Sequence, residues 1–165
     1  MQKTTVQQAE IKLLGITCRT NNAELFKEST TINKIAATVQ KYFQAGIAAT
    51  ITNRENPHTT YCVYTKYASD YNGDYTYFIG EQVSSFAGAA AELEQLTIPA
   101  QNYIKFTNGP APMPDVCIST WQQIWSMSDT DLGGTRSYIA DIEVYDQRSY
   151  DPLQTTLDIY IGITS

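Results

Sequence analysis

The sequence contains a single histidine, His58, and only three cysteines, Cys18, Cys62 and Cys117, spread across 165 residues. Without a Cys-x-x-Cys spacing or a second histidine, the zinc patterns built from closely spaced nitrogen and sulfur ligands are excluded, and no metal site is expected. An odd, scattered set of cysteines argues against a disulfide framework and for a reducing, cytoplasmic setting. A Ser-His-Asp or Cys-His catalytic unit would have to use His58, which stands beside Pro57 in a polar stretch and reads as a solvated loop residue. The glycine patterns that cradle nucleotide phosphates are missing, so no nucleotide, and no other cofactor, is expected. Basic residues are scarce. Lys and Arg total 11 against 17 Asp and Glu, for a net charge of -6. Such a chain repels phosphate backbones, and no stretch reads as a helix-turn-helix, so direct nucleic-acid binding is not expected. No apolar run approaches the roughly 18 residues that a membrane span needs. The start, Met1 to Gln8, carries no apolar signal core.

What the sequence has in quantity is tyrosine: 12 Tyr, beside 5 Phe and 2 Trp. Tyrosine favours strands, and it can also line a pocket with a flat apolar face and a polar tip. Composition alone favours the strand reading. The length suits one domain, residues 1–165, with enough chain to bury roughly 70% of its unfolded surface.

Residues 1–9 are polar and read as a frayed end. Glu10 to Cys18 reads as a strand, with Ile11 and Leu13 on one face and Leu14 and Ile16 on the other. Ile32, Ile35, Ala36, Val39 and Phe43 recur at helical spacing; Ser29, Thr30 and Thr31 offer N-caps, and Gly46 offers a stop. Residues 47–60 read mostly as loop. Two strands follow, Tyr61 to Tyr67 and Tyr75 to Ile79, joined across Asn72-Gly73, a pair suited to the two positive-φ positions of a tight hairpin turn. Residues 84–97 join the halves and read as holding a short helix around Ala87 to Ala91.

The second half repeats the order. Tyr103 to Phe106 is a strand. Asp115 to Ser126 is a helix with Cys117, Trp121, Ile124 and Trp125 on one face. Tyr138 to Tyr145 is a strand, and so is Leu157 to Ile163, where Leu157, Ile159, Ile161 and Ile163 alternate with Asp158, Tyr160 and Gly162. The expected fold class is therefore α+β: duplicated βαββ units, halves at about 10–83 and 98–163, forming a largely antiparallel sheet with two main helices.

One strand carries chemistry. Asp141, Glu143 and Tyr145 share a face, with Ile142 and Val144 on the other. Pattern alone supports a half-exposed strand with its polar residues in water. The alternative is an acid held among aromatic rings, where lost hydration makes it a strong attractor for a cation. Pattern does not choose between them.

Several segments together resemble the GyrI-like effector-binding domain, the drug-sensing half of some AraC-type and MerR-type regulators, which also occurs as a stand-alone protein. They are Leu14-Gly15-Ile16, Tyr64-Thr65-Lys66-Tyr67, Asn72 to Val83, Ile98 to Tyr103, Trp121-Gln122-Gln123-Ile124-Trp125, Asp141 to Tyr145 and Ile159 to Ile163. The likeness runs from about residue 10 to 163. Gln101-Asn102 stand where the family often has glycine; asparagine tolerates a left-handed backbone better than most residues. The resemblance implies a stand-alone small-molecule-binding protein whose ligand is a lipophilic or aromatic cation, with no nucleic-acid or membrane partner. It implies Glu143 at the pocket base, with Tyr145, Tyr160 and Trp121 as further ligand-binding residues, while Trp125 and Tyr77 read as core. It also leaves two alternatives open. One is a hydrolase of reactive drug-like compounds with Glu143 as general base. The other is a protein-interaction module such as a topoisomerase inhibitor.

Overall fold

Strand and helix alternate as the hydrophobic periods require. The computed structural model describes residues 1–25 and 33–164. Its strands are β1 (Gln2–Gln8), β2 (Ile11–Thr20), β3 (Thr60–Thr65), β4 (Tyr75–Val83), β5 (Glu94–Ile98), β6 (Gln101–Ala111), β7 (Arg136–Tyr145) and β8 (Thr155–Ile163). Its α-helices are the short α1 (Asn22–Leu25), α2 (Lys34–Gln44), α3 (Asp115–Trp125) and the short α4 (Asp129–Leu132). The fold is α+β with two βαββ units, β2-α2-β3-β4 and β6-α3-β7-β8, and every strand pairing is antiparallel. Among the described residues, no helix is long and apolar enough to cross a membrane.

The strands form one sheet in the order β1-β6-β8-β7-β3-β4-β2-β5. The halves meet at β3 and β7, where Cys62 faces Glu143. β1 and β2 stand six places apart in this order, about 29 Å in a flat sheet, yet only Ala9 and Glu10 separate them. Two residues reach no more than about 11 Å, so the sheet must roll. The pairing shows how it closes. Gln8 faces Gln101 and Ile11 faces Ile98, so one register runs on from β1–β6 into β2–β5. Each half lends the strand that precedes it to the other half. The polar start of the chain is therefore a paired strand, not a frayed end: β1 matches β6 from Gln2 to Gln8, because backbone pairing needs no apolar side chains.

Both faces of the sheet are covered. On one face, Ile11, Leu13, Val63, Phe78, Ile98, Tyr103, Ala140 and Ile142 pack inside the roll. On the other, α2 covers Leu14, Ile16, Cys62, Tyr75, Tyr77 and Ile79, and α3 covers Phe106, Leu157, Ile159 and Ile161. β2 and β4 approach closely at Gly15 and Gly80, which face each other. A Cβ on Gly15 would lie 2.0 Å from the Ile79 carbonyl oxygen, and one on Gly80 2.1 Å from that of Leu14. Backbone on both sides cannot yield as a side chain would. Gly80→Ala should therefore cost about 3 kcal/mol, read as a lower urea midpoint with an unchanged slope. A midpoint at the wild-type value would refute this close packing.

Three local expectations need correction. The β3–β4 hairpin forms, but neither Asn72 nor Gly73 has positive φ. The connection is long, and Asp70 organises it: its side chain accepts from the Asn72 N–H (2.8 Å) and its carbonyl from the Gly73 N–H (3.1 Å). Residues 84–97 contain turns and β5 instead of a helix, because the β2 edge takes Glu94–Ile98 as a partner. Asn102 is an extended residue of β6, paired with Gln7 and Ile163, so no left-handed position arises there. The candidate caps Ser29, Thr30 and Thr31, with Ile32, lie outside the described residues. α2 is capped by Asn33, whose side chain accepts from the Ala36 N–H (3.1 Å), and Gly46 follows its end at φ 62°.

Candidate functional site

The apolar stripe on α2 serves the core only in part. Thr38 and Tyr42 are the buried residues of the helix, and Ile35 and Val39 pack against the core, while Ile35, Ala36, Val39, Tyr42 and Phe43 also line an open cleft. The facing wall comes from the start of α3, with Met113, Pro114, Cys117 and Ile118. The floor is the sheet at its central seam: Cys62 and Tyr64 of β3, Tyr77 and Ile79 of β4, Glu143 and Tyr145 of β7. The cleft has a volume of about 1030 Å3. Three of its wall and rim residues are large and apolar yet in water: Phe43 is 61% exposed, Ile118 42% and Tyr150 64%. A smaller cavity of about 200 Å3 shares Ile35, Tyr64, Cys117 and Ile118 and adds Tyr67, Tyr71, Trp121, Trp125 and Arg136.

Glu143 lies at the floor and is only 3% exposed, so the reading of a solvated strand face is overturned. Its Oε2 accepts from the Tyr64 hydroxyl (2.6 Å) and the Trp121 indole Nε1–H (2.6 Å). Its Oε1 accepts from the Tyr145 hydroxyl (2.7 Å). These donors come from three elements, β3, α3 and β7, so the two halves must be joined before the carboxylate is held. Burial, followed by the nearby carboxylate, pushes the hydroxyls of Tyr64 and Tyr145 well above the usual phenol range and keeps both protonated as donors. Glu143 forms no ion pair with any described residue.

Asp141, two positions earlier on the same face, is neutralised within the protein. It is fully buried, and its Oδ2 accepts from Arg136 Nη2 and the Tyr67 hydroxyl, each at 2.6 Å, while its Oδ1 accepts from the Gly162 N–H (2.9 Å). Arg136 and Asp141 are too far apart along a regular strand to meet. A bulge in β7 sets five residues against two of β8 and turns the arginine back. Tyr138, within the bulge at φ 54°, covers the guanidinium at 4.5 Å.

Of the residues expected at the site, Glu143, Tyr145 and Trp121 converge on one carboxylate. Tyr160 does not join them. It alternates with Ile159 and Ile161, which face α3, so it points to the other face and packs edge-on against Tyr103 with ring centroids 5.8 Å apart. Tyr77 is a buried core residue and Trp125 packs against the second-half core, as read, and both also line cavity surface. Tyr64 is the important residue that periodicity did not single out. Its ring touches Tyr75, Tyr77 and Trp121, and its hydroxyl reaches Glu143. Strand parity carried the signal, since Tyr64 shares a face with Cys62, which pairs with Glu143.

The site holds several groups that resist ionisation. Burial, as the leading cause, raises the thiols of Cys62 and Cys117 and the hydroxyls of Tyr64, Tyr67, Tyr77 and Tyr145. The unfolded chain releases these protons from about pH 8.5 for thiols and about pH 10 for phenols, where the folded state still holds them. Their contribution to stability is complete below about pH 8.5 and is lost as pH rises. The urea midpoint should therefore hold to about pH 8.5 and fall steeply by about pH 11. A midpoint that stays level to about pH 11 would contradict the burial of these groups.

Residues 4–163 match the family model of the integron-associated effector binding protein, Cass2, and the chain belongs to that family. It thus falls within the GyrI-like effector-binding group whose motifs it carries. It is 26% identical over 152 residues to YobU of Bacillus subtilis (strain 168), named as a candidate transcriptional regulator protein, covering 92% of this chain and 91% of the relative. The fold is shared with the integron cassette protein VCH_CASS2 from the mobile metagenome of Vibrio cholerae, at a TM-score of 0.75 and 20% identity over 98% of this chain and 95% of the other. It is shared also with SAV2435, solved bound to tetraphenylphosphonium, at a TM-score of 0.77 and 16% identity over 100% and 95%.

Proposed function

We propose that this protein binds lipophilic organic cations in the cleft between α2 and α3, with Glu143 as the charge that selects them. One observation carries the reading: a buried carboxylate, with no cationic partner among the described residues, forms the floor of a large apolar cleft. Such a charge is costly to bury, and three neutral donors offset only part of that cost. A ligand cation would supply the rest, in a medium where charges attract more strongly than in water. The rings of Tyr64, Tyr77 and Tyr145 add quadrupole attraction. Covering about 200 Å2 of apolar ligand surface would contribute about 5 kcal/mol before the costs of association. The structural neighbour solved bound to tetraphenylphosphonium supports the same ligand class. Largely apolar walls with a buried charge at the floor recognise a class of compounds in place of one shape, which fits a multidrug-binding effector protein.

The hydrolase alternative is less well supported. A general base works best with its lone pairs open to water, and three of the roughly four acceptor sites of Glu143 are already taken, which leaves one on Oε1. Titration with tetraphenylphosphonium and the equally large anion tetraphenylborate, followed by tryptophan fluorescence, tests the proposal. The cation should bind at least about tenfold more tightly. Equal affinities, or preference for the anion, would overturn it.

A further inference from the structure

A second carboxylate opens on the same cleft. Glu81 of β4 is 2% exposed, and its Oε2 faces Arg54 Nη1 at 3.5 Å, the outer edge of hydrogen-bond range. Its Oε1 is buried and has no hydrogen-bond partner of good geometry among the described residues, with the His58 backbone N–H near enough to favour the carboxylate. The hydroxyl of Tyr42, on α2, is also buried without a hydrogen-bond partner among the described residues, and it too lines the cleft. The two interact: after burial, Glu81 is the largest cause raising the Tyr42 hydroxyl. Burial raises the Glu81 carboxyl as well, against the lowering effects of Arg54 and His58. Buried polar groups are normally satisfied, and two exceptions lining one cavity indicate what the cavity receives.

The two acids offer different chemistry. Three donors already take up most of the acceptor capacity of Glu143, which leaves it chiefly a charge, suited to a cation without N–H groups. Oε1 of Glu81 has acceptor capacity to spare, and the Tyr42 hydroxyl lining the same cleft can donate or accept, so this pair suits a directional N–H donor. Their separation follows from the register. Glu143 faces Cys62, Cys62 faces Ile79, and Glu81 is two residues further along β4. That sets the Cα atoms about 12 Å apart.

We propose that Glu81 and Tyr42 form a second, hydrogen-bonding anchor in the cleft, and that the preferred ligands are two-headed: a lipophilic cation joined by a flexible chain to a protonated amine that donates to Glu81 and Tyr42. This rests on the cation-binding reading of the cleft. The probes are three triphenylphosphonium cations with equal alkyl chains ending in methyl, ammonium or trimethylammonium. The last keeps the second charge and removes the N–H donors. Wild-type protein should bind the ammonium compound at least tenfold more tightly than either of the others. Glu81→Gln should remove that advantage and Tyr42→Phe should reduce it at least threefold, the advantage being read within each variant as the ratio of its affinities for the ammonium and methyl compounds. Tyr42→Phe deletes a hydroxyl that bonds to no described residue, so it keeps the test available if Glu81→Gln folds poorly. An ammonium compound that binds no better than the methyl one, or an advantage that survives both substitutions, overturns the second anchor and leaves the cation reading standing. An ammonium compound that binds through Glu81 while the methyl compound and tetraphenylphosphonium do not bind keeps the anchor and defeats the cation reading. Absence of binding by all of them defeats both.

Discussion

Glu143→Gln should weaken binding of tetraphenylphosphonium by about 2–5 kcal/mol, roughly 30-fold or more, while the protein stays folded. The range is that of removing one partner from a buried charge pair. Glutamine keeps the shape, and its amide oxygen can accept from Tyr64 and Trp121 while its NH2 donates to the Tyr145 hydroxyl, which can turn to accept. Three hydrogen bonds lose their charge assistance, and relief from burying an unpaired carboxylate offsets this. Stability should therefore change by no more than about 1.5 kcal/mol. Calorimetric titration and thermal unfolding of the one variant separate the readings. Unchanged affinity would show that Glu143 is a structural acceptor alone. Retained binding of an uncharged substrate with loss of its turnover would instead support the hydrolase.

The largest expected stability effect lies at the other acid. Arg136→Met should destabilise the fold by about 3–5 kcal/mol, because it leaves Asp141 charged and fully buried with only the Tyr67 hydroxyl and the Gly162 N–H. For a chain of this size that is a fall in melting temperature of about 10 °C. Adding Asp141→Asn to Arg136→Met should recover most of the loss, since the cost lies in the unpaired charge and not in the missing contacts. A single variant within about 1 kcal/mol of wild type would show that the ion pair is dispensable. A double variant no better than the single would place the cost in the packing of Arg136 against Tyr138 and Tyr71.

The two acids also show how far the sequence could be read. Alternation placed Asp141, Glu143 and Tyr145 on one face, and they share it. It could not say which acid holds a protein cation, because the partner, Arg136, reaches Asp141 only through a bulge that alternation does not reveal. The stripe Ile35, Ala36, Val39 and Phe43 was legible as a helix face, but its periodicity is the same whether the face meets a core or a cleft. Tyr160 was misplaced for a related reason. A strand buried on both sides has two apolar faces, and only the sheet shows which one the helices cover.

By itself the sequence determined the doubled βαββ order, the antiparallel α+β class and the family, because these follow from local periods of two and 3.6 and from motifs carried along the chain. The tertiary structure alone decided the rest. It exchanged β1 and β5 between the halves, a choice made by backbone pairing to which polar side chains such as those of Gln7 and Gln8 contribute no pattern. It also gathered Tyr64, Trp121 and Tyr145 around Glu143, and left Glu81 with an open oxygen on the same cleft. Burial and hydrogen bonding of that kind are properties of residues up to 79 positions apart, and they exist only once both halves have closed on the β3–β7 seam.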